Sequence, residues 1–254
     1  MKNNYLVLIQ NQSIANQLVQ NGATLAYPLK DFCVGLTNTF LLEEIPTNSY
    51  IYVNRVLDCE SLDNLKKVLK NANQKGIIFE DLGVLDAVKS LSLEKILFQN
   101  HQLTNYESVN EYLKYVDSLL ISTDITNEEA KEILDKADKK LIIHTLGYVN
   151  IMYSRRNLIS NYHNHYELDN IDRLDLEVED KKLIAVENQY GTYFYDSLPL
   201  YNELDHKNIL YKFINTALLS DEDVLEFIKN GKINFETNEG FTNTKTIFKI
   251  KEEK

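Results

Sequence analysis

Short apolar runs alternate with helical segments over the first 143 residues, and this alternation is what most constrains the fold of the chain. Seven of these runs are short enough to be strands buried on both faces; they span residues 5–9, 24–27, 50–53, 77–79, 95–98, 118–121 and 140–143. Most of the segments between them have helical periodicity, most clearly residues 57–75, where Leu62, Leu65 and Leu69 share one face. Repeated strand–helix units predict a parallel sheet, because consecutive parallel strands need a crossover of this kind.

The pattern changes after residue 165, where β-forming residues dominate. Residues 173–179, 182–187 and 191–195 are separated by turn-forming residues and predict a small antiparallel meander, and residues 208–214 predict an eighth core strand. The predicted fold class is therefore α/β: a single (β/α)8 TIM-barrel-like domain over residues 1–254, regular or irregular, with a β-rich insertion at about 165–205 after the seventh strand. A doubly wound open sheet is the alternative. No G-x-G-x-x-G follows the first strand, so a dinucleotide site is not indicated.

Charge and cysteine content limit the class of partner. The formal net charge is −11, so the chain as a whole repels phosphates, and broad nucleic-acid binding is disfavoured. Two cysteines, Cys33 and Cys59, are too few for a disulfide framework or for a metal site built from cysteines alone. No apolar run is long enough to cross a bilayer, and the run near the start is shorter than a signal peptide requires. We therefore expect a cytoplasmic, reduced protein without membrane association.

Residues 141–162 differ from ordinary scaffold, because a strand and Gly147 lead into a cluster of hydroxyl and guanidinium groups. Such groups past the carboxyl end of a barrel strand suit a phosphate or carboxylate ligand. The ligand-binding residues predicted in this stretch are Tyr153, Ser154, Arg155, Arg156 and Asn161. The alternative for the arginines is an ion pair with a surface carboxylate. For Ser154 a turn role is favoured over nucleophilic catalysis, because spacing alone assigns it no base.

The fourth and fifth predicted strands also end in polar residues. Glu80 and Asp81 follow the fourth strand, and Gln99 and His101 follow the fifth. Because barrels hold ligand-binding groups at these positions, Glu80, Gln99 and His101 are predicted to join the ligand site. Asp81 is favoured as the N-cap of the next helix, and a hydrogen-bonded structural role is the alternative for His101. No spacing typical of a metal site is present, so no metal is predicted, and no catalytic residue is assigned.

Four blocks of the sequence, taken in order, resemble those of a known family. The first is Asn-Gly-Ala at 21–23, and the second is GIIFEDLGVL at 76–85, a strand that ends in Asp-Leu-Gly. The third is Tyr-Ser at 153–154 followed by LISNY at 158–162, and the fourth is Gly-Phe at 240–241 with TIFKIK at 246–251. In this order the blocks resemble the peptidase U32 family, the collagenase-like group of bacterial proteins, and the third block is similar to the family signature. The resemblance covers most of the chain.

The chain departs from the family signature where relatives hold a cofactor. With Gly147 aligned to the signature glycine, the two signature cysteines fall on Asn150 and Asn157, and a second signature glycine falls on Arg155. In relatives linked to hydroxylation of tRNA, rRNA or ubiquinone precursors, these cysteines and two more hold an iron–sulfur cluster, which normally requires four thiolates. The resemblance therefore implies a divergent member with no iron–sulfur cluster, and no cofactor is expected.

The resemblance leaves three functions open. One is an accessory protein that binds an anionic ligand or RNA-derived substrate near Arg155 and Arg156, related to the RNA-modification proteins of the family. Another is a cluster-free enzyme that acts on a small anionic substrate. The third is a collagenase-like protease, a hydrolase, which rests on the family name alone. The expected partners are an RNA or a small anionic ligand, and a homo-oligomer or a hetero-oligomer with another U32 protein.

Overall fold

Thirteen strands and seven α-helices make up residues 4–169, 171–179 and 181–244, the part of the chain that this computed structural model describes. The strands are β1 (Tyr5–Leu8), β2 (Thr24–Pro28), β3 (Tyr50–Val53), β4 (Gly76–Phe79), β5 (Glu94–Phe98), β6 (Ser118–Leu120), β7 (Leu141–Gly147), β8 (Asn150–Ser154), β9 (Arg173–Val178), β10 (Lys181–Asn188), β11 (Gly191–Asp196), β12 (Leu200–Tyr201) and β13 (Ile209–Asn215). The helices are α1 (Ala15–Gln20), α2 (Cys59–Val68), α3 (Gly83–Val88), α4 (Tyr106–Tyr112), α5 (Asn127–Lys136), α6 (Leu158–His165) and α7 (Asp221–Asn230). None of the helices in these ranges combines the length and apolarity that crossing a bilayer requires.

Eight parallel strands, β1 to β7 and β13, close into a barrel. Each of β1 to β6 pairs with the next strand in sequence, and β13 lies between β7 and β1. The β6–β7 pairing, with Leu120 opposite Ile142, completes the ring. This confirms the predicted TIM-barrel-like fold and excludes the open sheet. The short strand β12 pairs antiparallel with the end of β7 and lies outside the ring.

Helices follow six of the eight barrel strands and begin where the sequence provides caps. The side chain of Asp58 accepts a hydrogen bond from the Ser61 amide at the start of α2, and Thr126 and Glu129 form a capping box on α5. The connection after β2 contains only a 3-10 turn, Leu42–Glu44, and the connection after β7 contains the small sheet and α6. The barrel is therefore irregular at these two places.

The side chains of the barrel strands divide between two hydrophobic clusters. Outward-pointing side chains pack beneath the helices, and inward-pointing ones fill the barrel interior. The inner set includes Leu6, Leu8, Tyr52, Ile78, Phe98 and Phe213. Burial on both faces explains why these strands appear in the sequence as continuous apolar runs.

A four-stranded antiparallel sheet, in the order β8-β11-β10-β9, covers the carboxyl end of the barrel. We call this sheet the cap. Its inner face places Ile184, Tyr193 and Tyr195 in the same cluster as the barrel interior, and the Tyr195 hydroxyl donates to the Gly35 carbonyl at 2.8 Å. Its outer face packs Ala185 and Phe194 against Ile159 of α6. The predicted meander is confirmed, and β8, which was not predicted as a strand, adds a fourth strand to it.

The end of the described chain forms a turn. Residues 240–243 make this turn, and the amide of Asn127 donates to the Thr242 carbonyl at 2.8 Å. The block at 246–251 lies outside the described residues.

Candidate ligand sites at the carboxyl end of the barrel

Gly147 allows the chain to turn from the barrel into the cap. Its φ is 116°, and a Cβ atom there would lie 2.0 Å from the carbonyl oxygen of Asn215 on the neighbouring strand. Only glycine tolerates this backbone conformation and this approach together. The signature glycine is thus required by the close packing of β7 against β13.

The two asparagines at the signature cysteine positions support the backbone. The Asn150 side-chain amide donates to the carbonyls of Met152 and Phe194 at 3.1 and 3.3 Å, and that of Asn157 donates to the Asn188 carbonyl at 2.8 Å. Asparagine amides with these partners offer no thiolate to iron. The donor set therefore does not fit an iron–sulfur cluster.

The two cysteines of the chain stand in different environments. Cys33 is buried and its thiol donates to the Tyr52 carbonyl at 3.1 Å, while Cys59 is exposed in the first turn of α2. Burial raises the pKa of the Cys33 thiol, which keeps it protonated. Among the described residues, no group of three or more His, Cys, Asp or Glu side chains is placed to hold a metal ion.

The LISNY part of the signature anchors α6 to the cap. The buried carboxylate of Glu187 on β10 accepts hydrogen bonds from the amides of Ile159 and Ser160, at 2.7 and 3.0 Å, and from the hydroxyls of Ser160 and Thr192. Burial alone would raise the pKa of Glu187, but these hydrogen bonds outweigh it and hold the pKa below its usual value. Ser160 therefore has a structural role. Asn161, predicted as a ligand residue, lies on the exposed side of α6.

Arg155 lies near a second arginine, Arg55, which was not predicted as a site residue from the sequence. The Arg155 guanidinium pairs with the Asp58 carboxylate at 2.9 Å. Arg55, two residues past the end of β3, stacks its guanidinium 3.8 Å from the centre of the Tyr190 ring. Both arginines, together with hydrogen bonds from Ser61 that contribute more, lower the pKa of Asp58. We call Arg55, Asp58, Arg155 and Tyr190 the arginine rim.

Polar contacts hold Arg55 in place. The Arg55 guanidinium donates to the Asp31 carbonyl and, at 3.4 Å, to the Ser61 hydroxyl. The Tyr190 hydroxyl donates to the Asp31 carboxylate at 2.7 Å. Among the described residues, the buried Nε of Arg55 has no hydrogen-bond acceptor. The position of Arg55 just past a barrel strand was the available signal for it in the sequence.

The other residues predicted as ligand-binding at 153–156 lie beside the rim. Tyr153 is half-buried, donates to the Tyr190 carbonyl at 3.0 Å, and lies 6.0 Å from the Tyr193 ring. The Ser154 hydroxyl accepts from the Arg156 amide at 3.1 Å, which is the favoured turn role. The side chain of Arg156 is exposed and makes no ion pair within the described ranges. Tyr153 thus contacts the rim through Tyr190, while Ser154 stabilises the turn.

Glu80 is the centre of a second cluster at the end of β4. One of its carboxyl oxygens accepts hydrogen bonds from the hydroxyls of Tyr52 and Tyr193, at 2.9 and 3.4 Å. Burial raises the pKa of Glu80 to about 7, and these hydrogen bonds only partly offset it. Glu80 still keeps partial exposure, because it forms part of the wall of a cavity. The Gln99 side chain donates to the Glu80 carbonyl and holds this backbone in place.

His101 and His144 lie near Glu80, and their pKa values are shifted in opposite directions. His101 bonds Asp124 at 2.7 Å, and this hydrogen bond raises its pKa. His144 is buried, with its Nε2 3.1 Å from the Gly147 carbonyl, and burial lowers its pKa to about 4. His144 is therefore neutral at pH 7, whereas His101 is readily protonated.

A cavity of about 50 Å³ lies between the barrel and the cap. Its polar lining includes Glu80, Asn100, His144 and Asn150. We call it the barrel-mouth cavity. Within the described chain, Arg155 and Arg156 form no hydrogen bond or ion pair with Glu80, Gln99 or His101, so the predicted residues form two neighbouring clusters instead of one.

The expected N-cap at Asp81 is corrected by one residue. The helix α3 begins at Gly83, and its N-cap position is Leu82, which makes no side-chain cap. Asp81 instead accepts hydrogen bonds from the amides of Gly83 and Leu57, both at 2.7 Å. Its carboxylate therefore ties the loop after β3 to the loop after β4, and each of its oxygens already accepts a backbone hydrogen bond.

Comparison with known proteins identifies the family. The model of peptidase family U32 matches residues 40–172, just over half of the chain. This range includes the blocks at 76–85 and 153–162 but not those at 21–23 and 240–251. No curated protein and no solved structure matches the chain. The match, which takes in β3 to β8 and most of the rim and mouth residues, shows that the chain belongs to peptidase family U32.

Proposed function

We propose that this chain is a cluster-free member of the U32 family that binds an anionic group, a phosphate or carboxylate, at the arginine rim and serves as an accessory binding protein. The observation that carries the proposal is the pairing of Arg155 with Asp58 beside Arg55, which brings two guanidinium groups from distant segments to one edge of the barrel. Guanidinium forks bind planar anions with two parallel hydrogen bonds.

The Asp58 carboxylate would compete with an anionic ligand for the Arg155 guanidinium. Arg155 is 54% exposed and Asp58 is 49% exposed on their side chains, so their ion pair is open to solvent and weak. A phosphate that replaces this carboxylate gains hydrogen bonds from Arg155 without dismantling a buried contact. Arg156, exposed on the next residue, adds positive charge to the same approach.

The peptidase alternative lacks support at the site. Ser154 accepts a backbone hydrogen bond, and in the described ranges no histidine contacts it. His163 contacts the Asp169 carbonyl, and His144 contacts the Gly147 carbonyl. Nucleophilic catalysis needs a base within hydrogen-bond reach of the nucleophile, so a binding role fits these contacts better.

A small anionic ligand is favoured over a long nucleic acid. The formal net charge of −11 opposes an extended phosphate backbone, whereas a single anion senses mainly the nearby guanidinium groups. Within this proposal, the absence of a cluster follows from asparagine at both signature cysteine positions. The cytoplasmic location and association with a second U32 chain stay predictions.

Calorimetric titration with sodium phosphate at low ionic strength tests the proposal. We expect Arg155→Ala and Arg55→Ala each to weaken phosphate binding about tenfold, since a hydrogen bond to a charged group contributes roughly 1.5–3 kcal/mol. Asp58→Asn should strengthen it, because asparagine still caps α2 but no longer competes for Arg155. Arg173→Ala is the matched control, since Arg173 is also a half-exposed arginine paired with an aspartate.

The outcomes separate a specific site from general charge effects. Equal phosphate affinity in wild type and Arg155→Ala, or an equal loss in Arg173→Ala, contradicts the proposal. A parallel titration with tRNA tests the RNA partner: binding that weakens with salt and with both rim variants supports it. If tRNA does not bind at low salt, the ligand is a small anion.

A further inference from the structure

We propose that the barrel-mouth cavity is a separate binding site for a small organic cation, a protonated primary amine, held by an aromatic cage and the carboxylate of Glu80. This site is independent of the arginine rim and takes a ligand of opposite charge. It rests on the composition of the cavity wall, its size and the hydrogen-bonding capacity left free on its polar side chains.

Five aromatic rings line the cavity. They come from the barrel and from the cap, and they are Tyr52, Phe98, Tyr148, Tyr193 and Phe213. The rings of Tyr52 and Phe98 lie 6.2 Å apart and those of Phe98 and Phe213 lie 4.9 Å apart, both pairs nearly perpendicular. Aromatic faces attract a cation through their quadrupole, and cages of several rings recognise ammonium groups.

The polar groups of the cavity complete a site for a hydrogen-bonding cation. Tyr52 and Tyr193 both donate to one oxygen of Glu80, and the other oxygen has no protein donor among the described residues. The Asn150 amide nitrogen donates to two backbone carbonyls, which fixes the amide orientation, and its side-chain oxygen accepts no hydrogen bond within the described chain. These two oxygens are acceptors for N–H donors of an ammonium group.

The size of the cavity selects a small headgroup. A cavity of about 150 Å³ accommodates benzene, and a water needs about 10–15 Å³, so a volume of about 50 Å³ suits a group of roughly two or three heavy atoms. Methylammonium fits this limit, and tetramethylammonium exceeds it. A ligand this small binds on the order of millimolar affinity at best.

The charges around the cavity favour a cation over an anion. The molecule is strongly acidic, with a formal net charge of −11, which raises the local concentration of cations. His144 is neutral because its pKa is lowered to about 4. His101, at the edge of the site, opposes a cation only when it is protonated.

We expect cation binding at this site to strengthen as the pH rises. The titratable groups near Glu80 among the described residues are the tyrosines Tyr52, Tyr148, Tyr153, Tyr193 and Tyr195, together with Cys33, His101 and His144. The pKa values of the tyrosines and Cys33 are raised and that of His144 is lowered. The groups that change charge as the solution becomes more basic are therefore Glu80, with a pKa of about 7, and His101, whose pKa is raised by its hydrogen bond to Asp124. Raising the pH ionises Glu80 and discharges His101, and both changes strengthen cation binding.

Titration of the isotope-labelled protein with methylammonium chloride, followed by NMR, tests this proposal. We expect saturable shifts of the Asn150 side-chain amide and the Glu80 carboxyl carbon, with affinity at pH 8 at least several-fold higher than at pH 6. Methanol, which has the same size without charge, and potassium chloride, which matches the ionic strength, should give no saturable shift. Tetramethylammonium should give none either.

Substitutions in the cage provide matched controls. Glu80→Gln keeps an acceptor for Tyr52 and Tyr193 but removes the charge, and should weaken methylammonium binding at least tenfold. Tyr148→Leu should also weaken it, while Tyr148→Phe, which keeps the ring, should not. Arg155→Ala should leave it unchanged, so this inference and the anion proposal fail separately. If methylammonium shifts resemble those of potassium chloride, or persist fully in Glu80→Gln, the cavity holds only solvent and the inference is overturned.

Discussion

At the residue scale, the signature stretch, residues 141–162, has mainly a structural role, in which polar side chains form hydrogen bonds with neighbouring groups. Gly147 is fixed by its approach to Asn215, Asn157 donates to the Asn188 carbonyl, and Ser160 bonds Glu187. The Gly147 contact lies where the barrel leads into the cap, and the other two contacts join α6 to the cap. Arg155 instead extends its guanidinium to the rim and pairs there with Asp58.

Glu80 gives a prediction about stability that also belongs to this scale. Its pKa is about 7 in the folded protein and 4.5 without the surroundings, so folding favours its protonated form. Stability from this group is therefore greatest below pH 4.5 and declines as the pH rises through about 7. The difference of about 2.5 pKa units sets an upper limit of roughly 3 kcal/mol on the decline.

Urea denaturation at pH 5, 6, 7 and 8 measures this effect. We expect Glu80→Gln to flatten the pH dependence and to be more stable than wild type at pH 8, because glutamine never ionises. His101, whose pKa is raised by its hydrogen bond to Asp124, adds a decline in the same direction. Parallel curves for the variant and wild type would show that Glu80 ionises in the folded protein as it does in water.

At the element scale, α6 is held to the cap by one buried carboxylate. Glu187 accepts hydrogen bonds from two amides in the first turn of α6, those of Ile159 and Ser160, which have no partners inside the helix. The helix macrodipole adds to this attraction. We expect Glu187→Gln to destabilise α6 by about 1–3 kcal/mol, because the new amide group presents donors to other donors in a buried place.

Hydrogen exchange of the α6 amides measures the local effect. Exchange at Ile159 and Ser160 should accelerate more than exchange in the barrel strands, and Glu177→Gln on the exposed side of β9 serves as the control. In wild type, the pKa of Glu187 is lowered, so its contribution is present above the usual carboxyl pKa and is lost as the pH falls through the folded value. Unchanged α6 exchange in Glu187→Gln would refute the anchoring role.

Local patterns predicted the elements well because element formation depends on neighbouring residues. The apolar runs fixed the eight barrel strands, and turn residues located β9, β10 and β11. The site was harder, since the pairing of Arg155 with Asp58 joins residues 97 positions apart, and nothing local indicates it. Arg55 was missed although its position two residues past the end of β3 was an available signal. Glu80, Gln99 and His101 were predicted to lie at one end of the barrel because strand ends in a barrel meet at one face.

At the scale of the whole molecule, the cap and the barrel share one hydrophobic cluster and should unfold together. Tyr193 and Tyr195 of the cap pack with barrel residues and with the loop after β2, which includes Cys33 and Val34. In this arrangement the cap covers the mouth that barrel enzymes leave open for substrates, and the cavity of about 50 Å³ lies beneath it. Access to the mouth therefore depends on how firmly the cap is seated.

Gly35 provides a test of this seating. It has φ of 73°, and a Cβ atom there would lie 2.6 Å from the Cβ of Tyr193, so Gly35→Ala must push the cap away from the barrel. Gly231 has a similar φ of 68° with nothing within 4 Å, so Gly231→Ala introduces the backbone strain alone. We expect Gly231→Ala to cost about 1–2 kcal/mol and Gly35→Ala to cost a further 1–3 kcal/mol or so.

Thermal unfolding followed by far-UV circular dichroism and by tyrosine fluorescence distinguishes loss of seating from general destabilisation. In wild type and Gly231→Ala the two signals should change at the same temperature, because the cap and the barrel unfold as one unit. In Gly35→Ala the tyrosine signal, to which Tyr193 and Tyr195 contribute, should change first. Coincident transitions in Gly35→Ala, with a loss of stability no larger than in Gly231→Ala, would mean that the contact at Tyr193 does not hold the cap. The barrel mouth would then have to be kept closed by the remaining contacts of Tyr195 and Ile184.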